Sequence, residues 1–136
     1  VATVNETTRA ESWLYQALAA GVPSLQAYSV VAPEGAAQPF IVFQQQATSD
    51  LMVVGAARVW ASMLYLVKVV GQTTSFTALQ PAADLVDAAL HAAAGQVGGG
   101  TILACTRERA FSLVEESNGL QWRHLGGVFR LLVQGQ

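Results

Sequence analysis

Two histidines, one cysteine and an adjacent pair of glutamates are the side chains on which chemistry could turn in this chain. His91 follows Asp87 by four residues in a segment with helical spacing, so the two share a helix face, where such a pair forms an ordinary surface contact or orients an imidazole. No nucleophile accompanies them in a working pattern: G-x-S-x-G, H-E-x-x-H, G-x-G-x-x-G and the phosphate loop are all missing from the sequence. His124 stands beside Trp122 and Arg123 in a strand-like run, too far along the chain for spacing to join it to His91. Cys105 follows Ile102-Leu103-Ala104, the setting of a buried and inert strand thiol. A single cysteine permits no internal disulfide, and no Cys/His cluster has zinc spacing. Glu115 and Glu116 could serve as acid and base, but neighbouring strand residues point to opposite faces of a sheet. The run Gly98-Gly99-Gly100 lacks the Lys and Ser/Thr of a phosphate cradle and leads into a strand. The expectation is a protein that is not an enzyme, with no catalytic residue, no metal and no cofactor.

Something else must then explain the composition. Of 136 residues, 52 % are hydrophobic and only 12 % charged, about half the roughly 25 % usual in soluble domains. Disorder is excluded, and a net charge of −2 leaves no basic footprint for sequence-specific binding to duplex DNA. A membrane span is not expected, because the long uncharged stretch 88–106 carries His91, Gln96 and four glycines. The opening residues show neither a basic region nor an apolar leader, which reads as a product made and kept in a cytoplasm. A small domain exposes much surface, and charge is depleted where subunits meet, so the deficit points to an assembly subunit covered by neighbours.

The elements follow from periodicity and punctuation. Thr8-Arg9-Ala10-Glu11 has capping-box form, and Ala10, Leu14, Ala17 and Leu18 recur at helical spacing until Gly21 and Pro23, predicting a helix over 8–20. Strands are expected at 27–31, at 40–46 and, unusually long, at 58–70. The apolar connection between the last two extends them into a hairpin at about 44–62 that projects from its core. A second helix is expected where Leu79, Ala82, Ala83, Val86, Ala89, Leu90 and Ala93 form one stripe, with Pro81 in its first turn and Gly95 closing it. Strands 101–114 and 120–133 meet at Asn118-Gly119, a strong hairpin signal, and Gly126-Gly127 reads as a bulge. The expected fold is α+β: one domain over 1–136, a mixed or antiparallel sheet of about four to five strands with two helices on one face, in the order α-β-β-β-α-β-β.

Two segments stand out as contact surfaces. Leu51, Met52, Val53 and Val54, rimmed by Asp50 and Arg58, form an apolar hairpin tip that a partner should cover. The terminal hairpin, with Arg107, Arg109, Glu115, Glu116 and Arg123, carries much of the scarce charge and is the second candidate.

The segment Ala32-Pro33-Glu34-Gly35-Ala36-Ala37-Gln38-Pro39-Phe40-Ile41-Val42-Phe43-Gln44 completes a pattern. Together with the helix L-x-x-A-A-D-x-V-x-x-A-L and the closing V-F-R-L-x-V, it resembles the tail terminator (tail completion) proteins of long-tailed bacteriophages over nearly the whole chain. The resemblance implies a virion protein, assembled in the host bacterial cytoplasm, that forms a homohexameric ring on the head-proximal end of the tail tube. Such a ring stops tube polymerisation and joins tail to neck. The implied partners are further copies of the chain, the tail tube protein and a neck or head-completion protein, with DNA passing through the lumen without sequence-specific contacts. The competing readings are another head-tail connector or neck component, separable by binding to tail-tube protein, and an unrelated small-ligand-binding α+β domain, which would be a stable monomer.

Overall fold

The long β-branched runs of this sequence form a single curved sheet, described here by a computed structural model for residues 6–52, 58–97 and 100–134. In chain order the elements are α1 (Glu6–Gly21), β1 (Ala27–Ser29), β2 (Phe40–Met52), β3 (Arg58–Gln72), a 3-10 turn (Phe76–Ala78), α2 (Gln80–Leu90), β4 (Ala93–Val97), β5 (Gly100–Ser117) and β6 (Leu120–Gln134). The strands lie in the order β1-β2-β3-β6-β5-β4, and every neighbouring pair is antiparallel except β1 with β2.

Alternation along β3 sorts the sheet into two faces. Ala61, Met63, Tyr65, Val67 and Val69 point to the helices, where they meet Leu14 and Leu18 of α1, Val86 and Leu90 of α2, and Phe129 and Leu131 of β6 in the main core. Burying each such side chain contributes about 1.5 to 3 kcal/mol. The helix-free face holds a smaller cluster of Phe40, Val42 and Val70 beneath Tyr28, Ala32 and Trp122. Both helices therefore lie on one face of an α+β fold, as the periodicity predicts.

The sheet has six strands, not four to five, and the additional strand changes how α2 ends. The helix stops at Leu90, Ala92 takes a positive φ of 63°, and 93–97 turn back as β4 against the start of β5. Gly95 is thus a strand residue and not a helix stop. A Cβ there would come within 2.9 Å of Trp13 Nε1, so the glycine lets the α1 indole lie flat on β4. Ser75, whose side chain accepts from Thr77 N–H, caps the 3-10 turn, while α2 starts from Leu79 with Pro81 in its first turn and no side-chain cap.

The expected bulge at Gly126-Gly127 is also absent, because both residues pair in unbroken register with Lys68 and Val67 of β3. The irregularities lie in β5 instead, between Ile102 and Ala104 and between Arg107 and Arg109. The Asn118-Gly119 turn has the predicted geometry, with φ of 52° and 76°.

Candidate functional site

Among the described residues the chemistry-bearing side chains fall into two separate groups, one around His91 and one around His124. His91, at the end of α2, donates its backbone N–H to the Asp87 carbonyl at 2.8 Å, and its Nδ1 accepts from the Arg107 backbone N–H at 3.1 Å, sealing the edge of β5 where β4 leaves it. Asp87 faces the Arg107 guanidinium at 3.6 Å, beside a cavity of about 210 Å³ between α2 and the β5–β6 hairpin. That volume falls below the roughly 300–1,000 Å³ typical of small-molecule sites, and two more open grooves, of about 450 Å³ beside Tyr15 and Phe43 and about 360 Å³ beside Pro39 and Gly71, fall within it. Cys105 is fully buried, and burial pushes its thiol up to about 12. Among the described residues no three metal-ligating side chains cluster, and no helix is long and apolar enough to cross a membrane.

The charged residues of the terminal hairpin separate into internal and outward-facing groups. Arg123 stacks over Phe76, its Cζ 4.7 Å from the ring centroid, and donates to Gln121 Oε1 at 3.1 Å. Glu115 Oε1 lies 2.5 Å from Nε2 of buried His124. Burial, then the neighbouring Lys68 charge, pushes His124 below its ordinary range, with Glu115 opposing. Lys68 itself is lowered by burial and sits 5.8 Å from the Phe111 ring centroid. Arg109 and Glu116 are exposed.

The best-built polar group on the helix-free face was not singled out by sequence reasoning. Arg130 donates from Nε to Glu108 Oε2 at 2.6 Å, from Nη2 to Glu108 Oε1 at 3.3 Å and from Nη1 to Ser62 Oγ at 2.5 Å, linking β3, β6 and β5. The hydrogen bond from Arg130 holds the Glu108 carboxyl below the usual carboxylate range. Arg9 was also missed: it lies buried in α1, with Nε and Nη1 unpartnered among the described residues.

Of the first contact segment, Asp50, Leu51 and Met52 end β2, with Leu51 level with Trp60 and Met52 with Arg58 at the start of β3. The two strands thus stay paired as far as Met52 and Arg58, while Val53 and Val54 lie outside the described residues. The described surface keeps large apolar side chains exposed at the far end of the other hairpin, with Leu113 at 42 %, Val114 at 45 % and Leu120 at 49 %. The described residues present strand ends, exposed apolar side chains and a few ion pairs.

Comparison with known proteins accords with such a surface. No curated protein matches the chain. A chain of the solved virion of a native gene transfer agent particle has the same fold, with a TM-score of 0.76 at 22 % identity over 98 % of this chain and all of that one. The family model of tail completion protein gp17 matches residues 14–134, from α1 to the end of β6, and the chain therefore belongs to that family of phage tail structural proteins.

Proposed function

We propose that this chain forms a ring, of six copies, which caps the head-proximal end of a phage tail tube, ends its polymerisation and joins the tail to the neck. The observation that carries the reading is membership of the tail completion family over almost the whole chain. The surface supports it physically. Only 12 % of residues are charged, and Leu113, Val114 and Leu120 stay exposed at one hairpin tip, where a partner would recover their burial free energy.

In this reading the chain is a single domain from which the β2–β3 hairpin, about 44–62, projects as the contact to the tube, with Leu51 to Val54 as its apolar centre and Asp50 and Arg58 as its rim. The β5–β6 hairpin, with Arg107, Arg109, Glu115, Glu116 and Arg123, serves the neighbouring copies or the neck. Duplex DNA passes through the lumen without base readout, in keeping with the net charge of −2 per copy.

Native mass measurement and end-on electron microscopy of the purified protein, alone and bound to tail tubes, test the reading. A closed ring at tube ends is expected; a chain that stays monomeric on tubes, or that binds none, overturns it. The joint variant Met52→Asp with Val54→Asp should remain folded and lose tube capping. Capping at the normal rate would move the contact to the β5–β6 hairpin.

A further inference from the structure

The sheet leaves two strand edges open at diagonally opposite corners. On one side β1 covers only 41–43 of β2, and from 46 to 52 no described strand lies along the outer edge. On the other side β4 covers β5 only as far as Cys105, His91 closes the Arg107 N–H, and from 110 to 117 no described strand lies along the outer edge. Open edges are ready templates for further pairing, and monomeric proteins blunt them with lysines, prolines or very short strands. Neither open stretch contains a lysine or a proline, and their charged residues are Asp50, Glu115 and Glu116.

We propose that these edges are each other's partner: residues 46–52 of β2 in one copy pair antiparallel with residues 110–117 of β5 in the next, joining the sheets of the ring. The inference rests on the ring reading above and names the surface that closes it. Three features of the topology support it. First, direction: β2 and β6 run one way and β3 and β5 the other, so copies related by rotation about a ring axis bring β2 and β5 together antiparallel. Second, fit: β1 ends where one open edge begins and β4 where the other begins, so two copies interlock as complementary steps.

The third feature is the stagger. Thr48 is level with Met63, Leu131 and Cys105 across the sheet, whereas Ser112, in the middle of the open β5 edge, is level with Leu125, Val69 and Ile41. Bringing Thr48 beside Ser112 of the next copy slides the copies by about six register steps, roughly 20 Å at 3.3 Å each. The four strands from β2 to β5 advance roughly 19 Å sideways at about 4.8 Å per strand. Equal slide and advance incline the strands by roughly 45° to the ring axis, at the upper end of the 35–45° tilt at which sheets close on themselves. The two corners are therefore offset by about the amount that a closed ring requires. An open groove lined by Glu11, Tyr15, Gln16 and Phe43 runs beside the β2 edge and gives the incoming strand room on the helix face.

The experiment uses the full chain carrying Cys105→Ala. Thr48→Cys in one preparation is mixed with Ala110→Cys, Ser112→Cys or Val114→Cys in another; all four positions face the helices, so each pairing keeps the faces matched. Oxidation should link unlike copies at one of the three offsets, and a chain carrying both cysteines of that pair should give a covalently closed oligomer. In parallel, hydrogen exchange on the unmodified protein should slow by about tenfold or more at alternate amides of 46–52 and 110–117 when the ring forms. A ring visible by native mass and microscopy without cross-links at any offset, and with both edges exchanging as fast as in dissociated chains, overturns the pairing and leaves the ring reading intact. Absence of any ring overturns both.

Discussion

Gly126 of β6 lies directly over the Val67 carbonyl of β3, so close that a methyl group at this glycine would overlap the carbonyl oxygen and come within 2.6 Å of Lys68 Cα. Backbone, unlike a flexible side chain, cannot step aside. Gly126→Ala should therefore destabilise the chain by about 3 kcal/mol or more, by parting the two central strands of the sheet. At Gly119, where nothing lies within 4 Å and only the φ of 76° resists a side chain, alanine should cost about 1 kcal/mol. Denaturant unfolding of both variants checks the ranking, and equal losses would show that the close approach is relieved by strand movement.

His124 should make the fold acid-sensitive. Burial and Lys68 hold its folded-state value below the ordinary 6.5, with Glu115 opposing, so the unfolded chain binds the proton more readily. Stability is then complete above about pH 6.5 and declines as the pH falls towards the lowered folded value. Unfolding midpoints between pH 8 and 5 should fall with acid in the parent and fall less in His124→Gln, which cannot titrate. An unchanged slope in the variant would assign the acid sensitivity elsewhere.

Cys105 should be silent towards thiol reagents. With no exposed surface and a thiol pushed up to about 12, native protein at pH 8 should label only as fast as the strand opens, while denaturant-unfolded protein labels at the rate of a free peptide. Native labelling at the peptide rate would show the β4–β5 pairing to be open in solution.

Arg9 should be replaceable without loss. The residue is 5 % exposed and, among the described residues, two of its guanidinium nitrogens lack partners, so desolvation of the charge is only partly offset. Arg9→Met keeps the apolar stem that lies against Gly100 and should leave the isolated chain equally stable or more stable by about 1 kcal/mol. A loss of several kcal/mol would reveal a partner for the charge.

Features written in neighbouring residues were legible before any coordinates. The Asn118-Gly119 turn follows from two successive positive φ angles that few other pairs tolerate, and the helix-facing set of β3 follows from strict alternation. Gly95 misled because its reason is distant: it makes room for Trp13, more than 80 residues earlier in the chain. Gly126 misled for the same reason, since a glycine required by a crossing backbone looks the same in sequence as one that permits a bulge. Of the contact residues, Arg123 carries no local sign that Phe76 will lie under it, and Arg107 none that Asp87 and His91 will hold it.

The extra residue at Glu108 has a further effect, on parity. Arg107 and Arg109 would share a face in a regular strand, yet Arg107 pairs with Phe129 on the helix side and Arg109 with Val128 on the other. One inserted position thus reverses the inside-outside reading of every residue from 109 to the turn. Point substitution can change what each face of the hairpin displays, but not which residues belong to it. A variant lacking Glu108 would set Arg107 and Arg109 side by side opposite Phe129 and Val128, closing the ladder without a bulge, so Ser112 and Val114 would keep the helix face and Phe111 and Leu113 the other.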